Sequence, residues 1–105
     1  MKVAQFIISL FKTAPFVVFS WGFSDPIAIK NGISFRTNGF RHKGLVEIIY
    51  NEGKDLFEVR LIKRGNIIKQ VEDVYVDMLI DLIDGLVERT ENYKEDVEKW
   101  LCEAF

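Results

Sequence analysis

The turns between residues 27 and 74 constrain the fold of this chain most, because they are too short for successive strands to run parallel. Segments that alternate apolar and polar side chains are separated by turns at Asn31-Gly32, around Gly53 and around Gly65. A parallel crossover needs about a dozen residues or more, whereas about two residues can join antiparallel strands. The spacing therefore predicts an antiparallel meander of four to five short strands.

Alternation within these strands assigns their side chains to two faces. Phe57, Val59 and Leu61 share one face of the segment 56–63, and Glu58 and Arg60 share the other. The second face is not fully polar, because four aliphatic residues fall on it: Leu45, Ile49, Leu56 and Ile62. The pattern predicts that helices cover the first face and that something else covers part of the second, where these four residues form a candidate interaction face.

The first forty residues predict one helix, one strand and one hairpin. Apolar residues recur at helical spacing over 3–14, and Pro15 ends that helix. We expect this helix to pack on the sheet through four apolar residues: Phe6, Ile7, Leu10 and Phe11. The alternation over 16–23 then predicts a strand. In the hairpin over 27–37, a three-residue loop of residues 30–32 keeps apolar side chains together, because it sets Ile29 opposite Ile33 and Ile27 opposite Phe35.

The C-terminal third predicts two helices. An apolar stripe over 76–87 marks the first, and we expect solvent to cover its opposite, acidic stripe of Asp77, Asp81, Asp84 and Glu88. Asn92, with Glu95 three residues later, resembles a capping box that begins the second helix. The predicted fold class is α+β, in a single domain over residues 1–105.

Charge is divided along the chain. Residues 30–70 carry nine basic and four acidic side chains, whereas residues 71–105 carry three basic and eleven acidic ones. The basic part includes a candidate contact for nucleic acid or another anion, in which cations would neutralise phosphates and an aromatic ring would stack on a base. Its residues are Arg36, Phe40, Arg41, His42 and Lys43.

The common catalytic motifs are missing from the sequence. His42 and Cys102 are the only histidine and cysteine, and Cys102 falls in the last turn of the last predicted helix, where the helix dipole disfavours a thiolate. The glycine spacing of a phosphate loop occurs at 39–44, but Leu45 stands where that loop requires lysine. We therefore predict no enzyme activity, cofactor or metal.

These observations favour a small non-enzymatic binding or protein–protein interaction domain, which associates with a protein partner or with a second copy of itself as a homodimer. Two alternatives stay open: a nucleic-acid-associated accessory protein that uses the basic turns, and a small enzyme or ligand-binding protein with an apolar pocket. The lone cysteine excludes an internal disulfide and favours a cytoplasmic location. No apolar run is long enough to predict a membrane span.

Overall fold

A computed structural model describes residues 3–88 and has three α-helices, five strands and one 3-10 turn in that range. The elements are α1 Val3–Phe11, α2 Pro15–Ser20, β1 Ser24–Ile29, β2 Gly32–Asn38, β3 Lys43–Asn51, β4 Leu56–Lys63, β5 Asn66–Val74, the 3-10 turn Val76–Met78 and α3 Leu79–Val87. The predicted helix at Asn92 and Glu95 lies outside the described residues. The α+β class is confirmed.

The five strands form one antiparallel sheet in the order β1-β2-β3-β4-β5, so the predicted meander is confirmed. The turn from β4 to β5 explains how so short a connection works. Lys63 pairs with Asn66, and the two residues between them have positive φ angles, 53° at Arg64 and 80° at Gly65. Two successive residues with positive φ match the right-handed twist of the flanking strands.

The predicted register of the first hairpin is wrong. Ile29 pairs with Gly32 and Ala28 pairs with Ile33, so the loop consists of Lys30 and Asn31 alone. Asn31, and not Gly32, has the positive φ angle, 56°, in this turn. Gly32 belongs to β2 instead, and a side chain there would clash with the next strand.

Gly32 leaves no room for a side chain, because a Cβ atom there would lie 2.0 Å from the Ile48 carbonyl oxygen. The apolar pairing on which the prediction depended is also unnecessary, because β1 is an edge strand whose side chains are mostly exposed. Burial of apolar side chains therefore does not determine the register between β1 and β2.

The predicted strand over 16–23 is also wrong, because α2 occupies most of it. Pro15 begins this helix, since a proline in the first helical turn leaves no hydrogen bond unmade, and α1 ends earlier than predicted, at Phe11. Val18 and Trp21 turn inward with helical spacing, whereas Phe16 and Phe19 are 88% and 84% exposed. The apolar residues on both sides of this short helix imitate the alternation of a strand.

Within residues 3–88, buried side chains from the helices and the sheet form a hydrophobic core cluster. Its largest fully buried side chains include Ile7 from α1, Trp21 from the segment after α2, Phe35 from β2 and Ile83 from α3. Phe11 meets the rings of Trp21, Phe23 and Phe35 edge to face, with ring centroids 5.4 to 5.9 Å apart. Such contacts add to the stabilisation that burial of the rings provides.

The predicted inward side chains of β4 and two of those in α1 are confirmed. Phe57, Val59 and Leu61 are buried in the core, as are Ile7 and Phe11. Of the other two residues of α1 expected to pack inward, Leu10 is partly buried against the core, but Phe6 is 38% exposed. The outer face of the sheet, defined as the face opposite the core and carrying Leu45, Ile49, Leu56 and Ile62, follows from the same alternation.

Candidate functional site

The basic loop between β2 and β3 is bound to the end of α3. The backbone N–H groups of Arg41 and His42 both donate to the Val87 carbonyl oxygen, at 2.8 and 3.2 Å. The Arg41 guanidinium donates to the Gly85 carbonyl oxygen at 2.6 Å. The last carbonyl groups of a helix have no partners within the helix, so this loop caps the C-terminus of α3.

A close approach of Gly39 makes this capping geometry possible. A Cβ atom at Gly39 would lie only 2.3 Å from the Val87 carbonyl oxygen. Beside it, the Phe40 N–H donates to a Glu88 carboxylate oxygen at 3.2 Å. Glu88 is only 4% exposed, so an acidic side chain is packed directly beneath the basic loop.

The five residues of the candidate anion contact differ in their environment. His42 is 3% exposed, and its Nε2 atom lies 2.9 Å from the Leu45 carbonyl oxygen, so its ring is held inside the protein. Arg36 is exposed and lies 3.6 Å from the Asp25 carboxylate. Phe40, Arg41 and Lys43 are exposed. The structure therefore gathers three of the five at the surface of one loop, and anion binding there stays a prediction.

The expectation that solvent covers the acidic stripe of α3 is wrong for two of its four residues. Asp77 and Asp81 are exposed, but Asp84 is 7% and Glu88 4% exposed. Asp84 accepts a hydrogen bond from the Trp21 indole at 3.0 Å. Burial raises the pKa of the Glu88 carboxyl; the Phe40 N–H opposes this rise, and the nearby Asp84 charge adds to it. Polar partners from other elements therefore draw these carboxylates inward.

The outer face carries an apolar row across three strands. Leu45 of β3 pairs with Ile62 of β4, and Ile62 pairs with Ile67 of β5. Residues directly opposite each other in an antiparallel pair point to the same side, so the three side chains are neighbours. Ile67 is 54% exposed, and the other two are half-buried.

A second apolar group lies toward the β1 edge of the outer face. Gly32 of β2 pairs with Ile29 on one side and with Ile49 on the other, so two isoleucines flank a position that has no side chain. Ile27 pairs with Ser34 and is 62% exposed. Sequence reasoning missed Ile27, Ile29 and Ile67 as members of this face, and the correct hairpin register would have revealed the first two.

A polar band separates the two apolar groups. Arg60 lies between two acidic side chains, 2.5 Å from the Glu58 carboxylate and 3.8 Å from the Glu47 carboxylate. All three side chains are between 20% and 31% exposed. The described core cluster includes neither this band nor Leu45, Ile49, Leu56 and Ile62. The outer face thus combines apolar ends with a centre of mixed charge.

Residues 3–88 contain no cluster of side chains suited to a metal ion, since no three His, Cys, Asp or Glu side chains come together within that range. None of the helices described there is long and apolar enough to cross a membrane. Comparisons with protein-family models, with curated proteins and with solved structures found no match to this chain.

Proposed function

We propose that the protein is a small non-enzymatic interaction domain that pairs with a second copy of itself through the outer face, while its helices cover the opposite face. The observation that carries the proposal is the apolar content of the outer face. Seven aliphatic side chains lie on it: Ile27, Ile29, Leu45, Ile49, Leu56, Ile62 and Ile67. The two apolar groups lie on either side of the charged centre, and an exposed apolar surface of this extent is typical of an interaction site.

The size of the outer face supports a dimer. The axes of five strands about 4.8 Å apart span about 19 Å, or about 24 Å with half a strand's width added at each edge, and eight residues rising about 3.3 Å each span about 26 Å. The flat area is then about 600 Å², and side-chain relief raises the accessible area above that value. A standard protein–protein interface buries about 800 Å² on each partner. The outer face is therefore large enough to form most of a stable interface.

The charge pattern supports a second copy as the partner. A two-fold dimer brings the same patch of each subunit together, so the patch must be complementary to itself. A face with a single sign of charge would repel its copy, whereas Arg60 with Glu47 and Glu58 presents both signs at the centre.

The proposal includes a cytoplasmic location, which the single cysteine of the chain supports.

Sedimentation equilibrium of the full chain tests this proposal. We expect a dimer at tens of micromolar, measured in reductant so that Cys102 cannot cross-link two copies. The double variant Ile27→Lys, Ile67→Lys places charges at the two exposed ends of the face and should be a monomer. Met78→Lys is the matched control, because Met78 is 58% exposed and lies outside the sheet; it should remain a dimer.

Two outcomes would overturn the proposal. A monomeric wild-type protein at these concentrations would show that no second copy covers the outer face, and residues 89–105 of the same chain would then be the next occupant to test. A dimer that survives the double substitution would place the interface elsewhere. Circular dichroism of the variant would establish that loss of the dimer is not loss of the fold.

A further inference from the structure

A groove on the core side of the sheet is independent of the outer face. It lies between α1, the turn from β3 to β4 and the 3-10 turn, and its volume is about 490 Å³. Its floor and one wall are apolar, formed by Val3, Phe6, Phe57 and Val76. Small-molecule sites usually occupy about 300–1,000 Å³ and combine apolar walls with a few polar groups.

Aromatic rings form one side of this groove. Phe6 and Phe57 are stacked, with ring centroids 6.3 Å apart and ring planes within 8° of parallel. The Tyr50 ring meets Phe57 with centroids 5.2 Å apart. Phe6 keeps 38% of its surface exposed, so an aromatic ring is accessible to a bound molecule. The negative face of such a ring attracts cations.

The polar side of the groove is acidic. Glu52 and Asp55 line it, and the Tyr50 hydroxyl donates a hydrogen bond to the Asp55 carboxylate. This hydrogen bond raises the pKa of the Tyr50 hydroxyl, because it holds the hydroxyl proton against the carboxylate. Among the described residues that line the groove, none is basic. Lys54, which is close in sequence, lies 3.2 Å from the Asp73 carboxylate instead.

We propose that this groove binds an organic cation with an apolar body, such as an alkylammonium group. The aromatic rings and the two carboxylates attract the cationic head, and Val3 and Val76 contact the alkyl body. An anionic ligand would be repelled by Glu52 and Asp55. A bare metal ion would leave the apolar wall unused, and the described lining residues supply only two carboxylates for it.

A titration followed by NMR chemical shifts of the full chain tests the proposal. The probe is hexyltrimethylammonium, compared with hexanol as a neutral ligand and hexanesulfonate as an anionic one. We expect saturable shifts at groove residues with the cation, at least tenfold weaker binding of hexanol and no binding of the sulfonate. Higher salt should weaken binding of the cation, because its attraction to exposed carboxylates is screened.

Three variants separate the contributions of charge and ring. Asp55→Asn keeps an acceptor for the Tyr50 hydroxyl and should weaken cation binding about threefold to tenfold through loss of charge. Phe6→Leu keeps an apolar side chain and should weaken it about twofold to fivefold through loss of the ring face. Asp81→Asn, a substitution of an exposed carboxylate on α3, should leave affinity unchanged.

The proposal is overturned if hexanol binds as tightly as the cation, or if Asp55→Asn and Asp81→Asn bind it equally well. Absence of saturable shifts at low-millimolar cation would also overturn it. None of these results depends on dimerisation, because Tyr50 and Phe57 face the core side of the sheet, opposite the outer face. Failure here and failure of the proposed dimer are therefore distinguishable.

Discussion

The Trp21 indole N–H donates a hydrogen bond to the Asp84 carboxylate at 3.0 Å, joining residues 63 positions apart in the sequence. Trp21 is fully buried, and Asp84 is 7% exposed. The bond fastens the segment after α2 to α3, two parts of the chain that lie on either side of the meander in sequence. It also gives a buried carboxylate a charge-assisted partner, without which its burial would be costly.

Trp21→Phe should therefore destabilise the protein. The substitution removes the indole N–H and leaves space beside Asp84, at an expected cost of about 2–4 kcal/mol in the free energy of unfolding. Urea denaturation measures it. Asp84→Asn, which keeps an acceptor for the indole, should cost less. Equal midpoints for Trp21→Phe and wild type would show that this contact contributes little to stability.

Two glycine substitutions should have opposite effects. Gly39→Ala should cost about 1–3 kcal/mol, because the new Cβ atom would clash with the Val87 carbonyl oxygen at 2.3 Å and displace the end of α3. Gly85→Ala should gain about 0.5–1 kcal/mol, because alanine is the better residue inside a helix. The space around Gly85 is open within residues 3–88, since none of their heavy atoms, apart from the two chain neighbours and the backbone of its own helix, lies within 4 Å of the position that a Cβ atom would take there. Thermal unfolding of both variants checks the pair, and stabilisation by Gly39→Ala would contradict the close approach of loop and helix.

Stability should fall as pH rises through the raised pKa of Glu88. The folded state holds this proton more tightly than the unfolded state, whose pKa is near the ordinary value of 4.5. The stabilisation of the folded state by protonated Glu88 is therefore fully present below pH 4.5, and it is lost as the pH rises through the pKa of Glu88 in the folded state. Glu88→Gln stays neutral and keeps an acceptor for the Phe40 N–H, so it should gain stability over wild type at neutral pH.

Below pH 4.5 the advantage of Glu88→Gln should shrink, because wild-type Glu88 is then protonated in both states. Denaturation midpoints of both proteins across this range measure the difference. Asp81→Asn, on the exposed side of the same helix, is the control and should show no such crossover. A constant gap between Glu88→Gln and wild type at every pH would contradict the pKa shift.

Alanine substitutions at Arg41 and Lys43 should distinguish a structural role of the basic loop from a role in anion binding. Arg41→Ala removes the hydrogen bond to the Gly85 carbonyl oxygen and should cost about 0.5–1.5 kcal/mol. Lys43→Ala alters an exposed side chain and should change stability by less than about 0.5 kcal/mol. Urea denaturation measures both.

The same variants test the nucleic-acid alternative. Titration of labelled RNA and duplex DNA at low salt should show weaker binding for Lys43→Ala if the loop contacts phosphates. The slope of log affinity against log salt should change by about 0.7–0.9 for each phosphate that the variant no longer neutralises. If the wild type does not bind nucleic acid, or binds it no more tightly than Lys43→Ala does, Lys43 makes no contact with a bound phosphate.

Local alternation predicted the middle of the sheet because core burial enforces it there. Phe57, Val59 and Leu61 had to point to one side once β4 lay between two other strands. The same pattern failed over 16–23, where a six-residue helix with apolar residues on both sides produces alternation too. Periodicity cannot distinguish the two in so short a segment.

The candidate sites were less predictable, because they depend on contacts between distant parts of the chain. Sequence reasoning placed Leu45 and Ile62 on the outer face but could not pair Ile62 with Ile67, since the β4–β5 pairing contains register shifts. The acidic stripe of α3 gave no sign that Trp21 would draw Asp84 inward. The groove between Phe6 and Asp55 is likewise formed by segments far apart in sequence.

The meander order of the sheet has a consequence for the folding rate. Each strand pairs only with the strand before or after it, through turns of a few residues, so most of the sheet can form by closing short loops. Folding rates rise as contacts become more local. Docking of α3 against Trp21 is the long closure, since it must span the whole sheet. We therefore expect the hairpins of the sheet to form early in folding. We expect α3 to dock late, after the surface around Trp21 has formed.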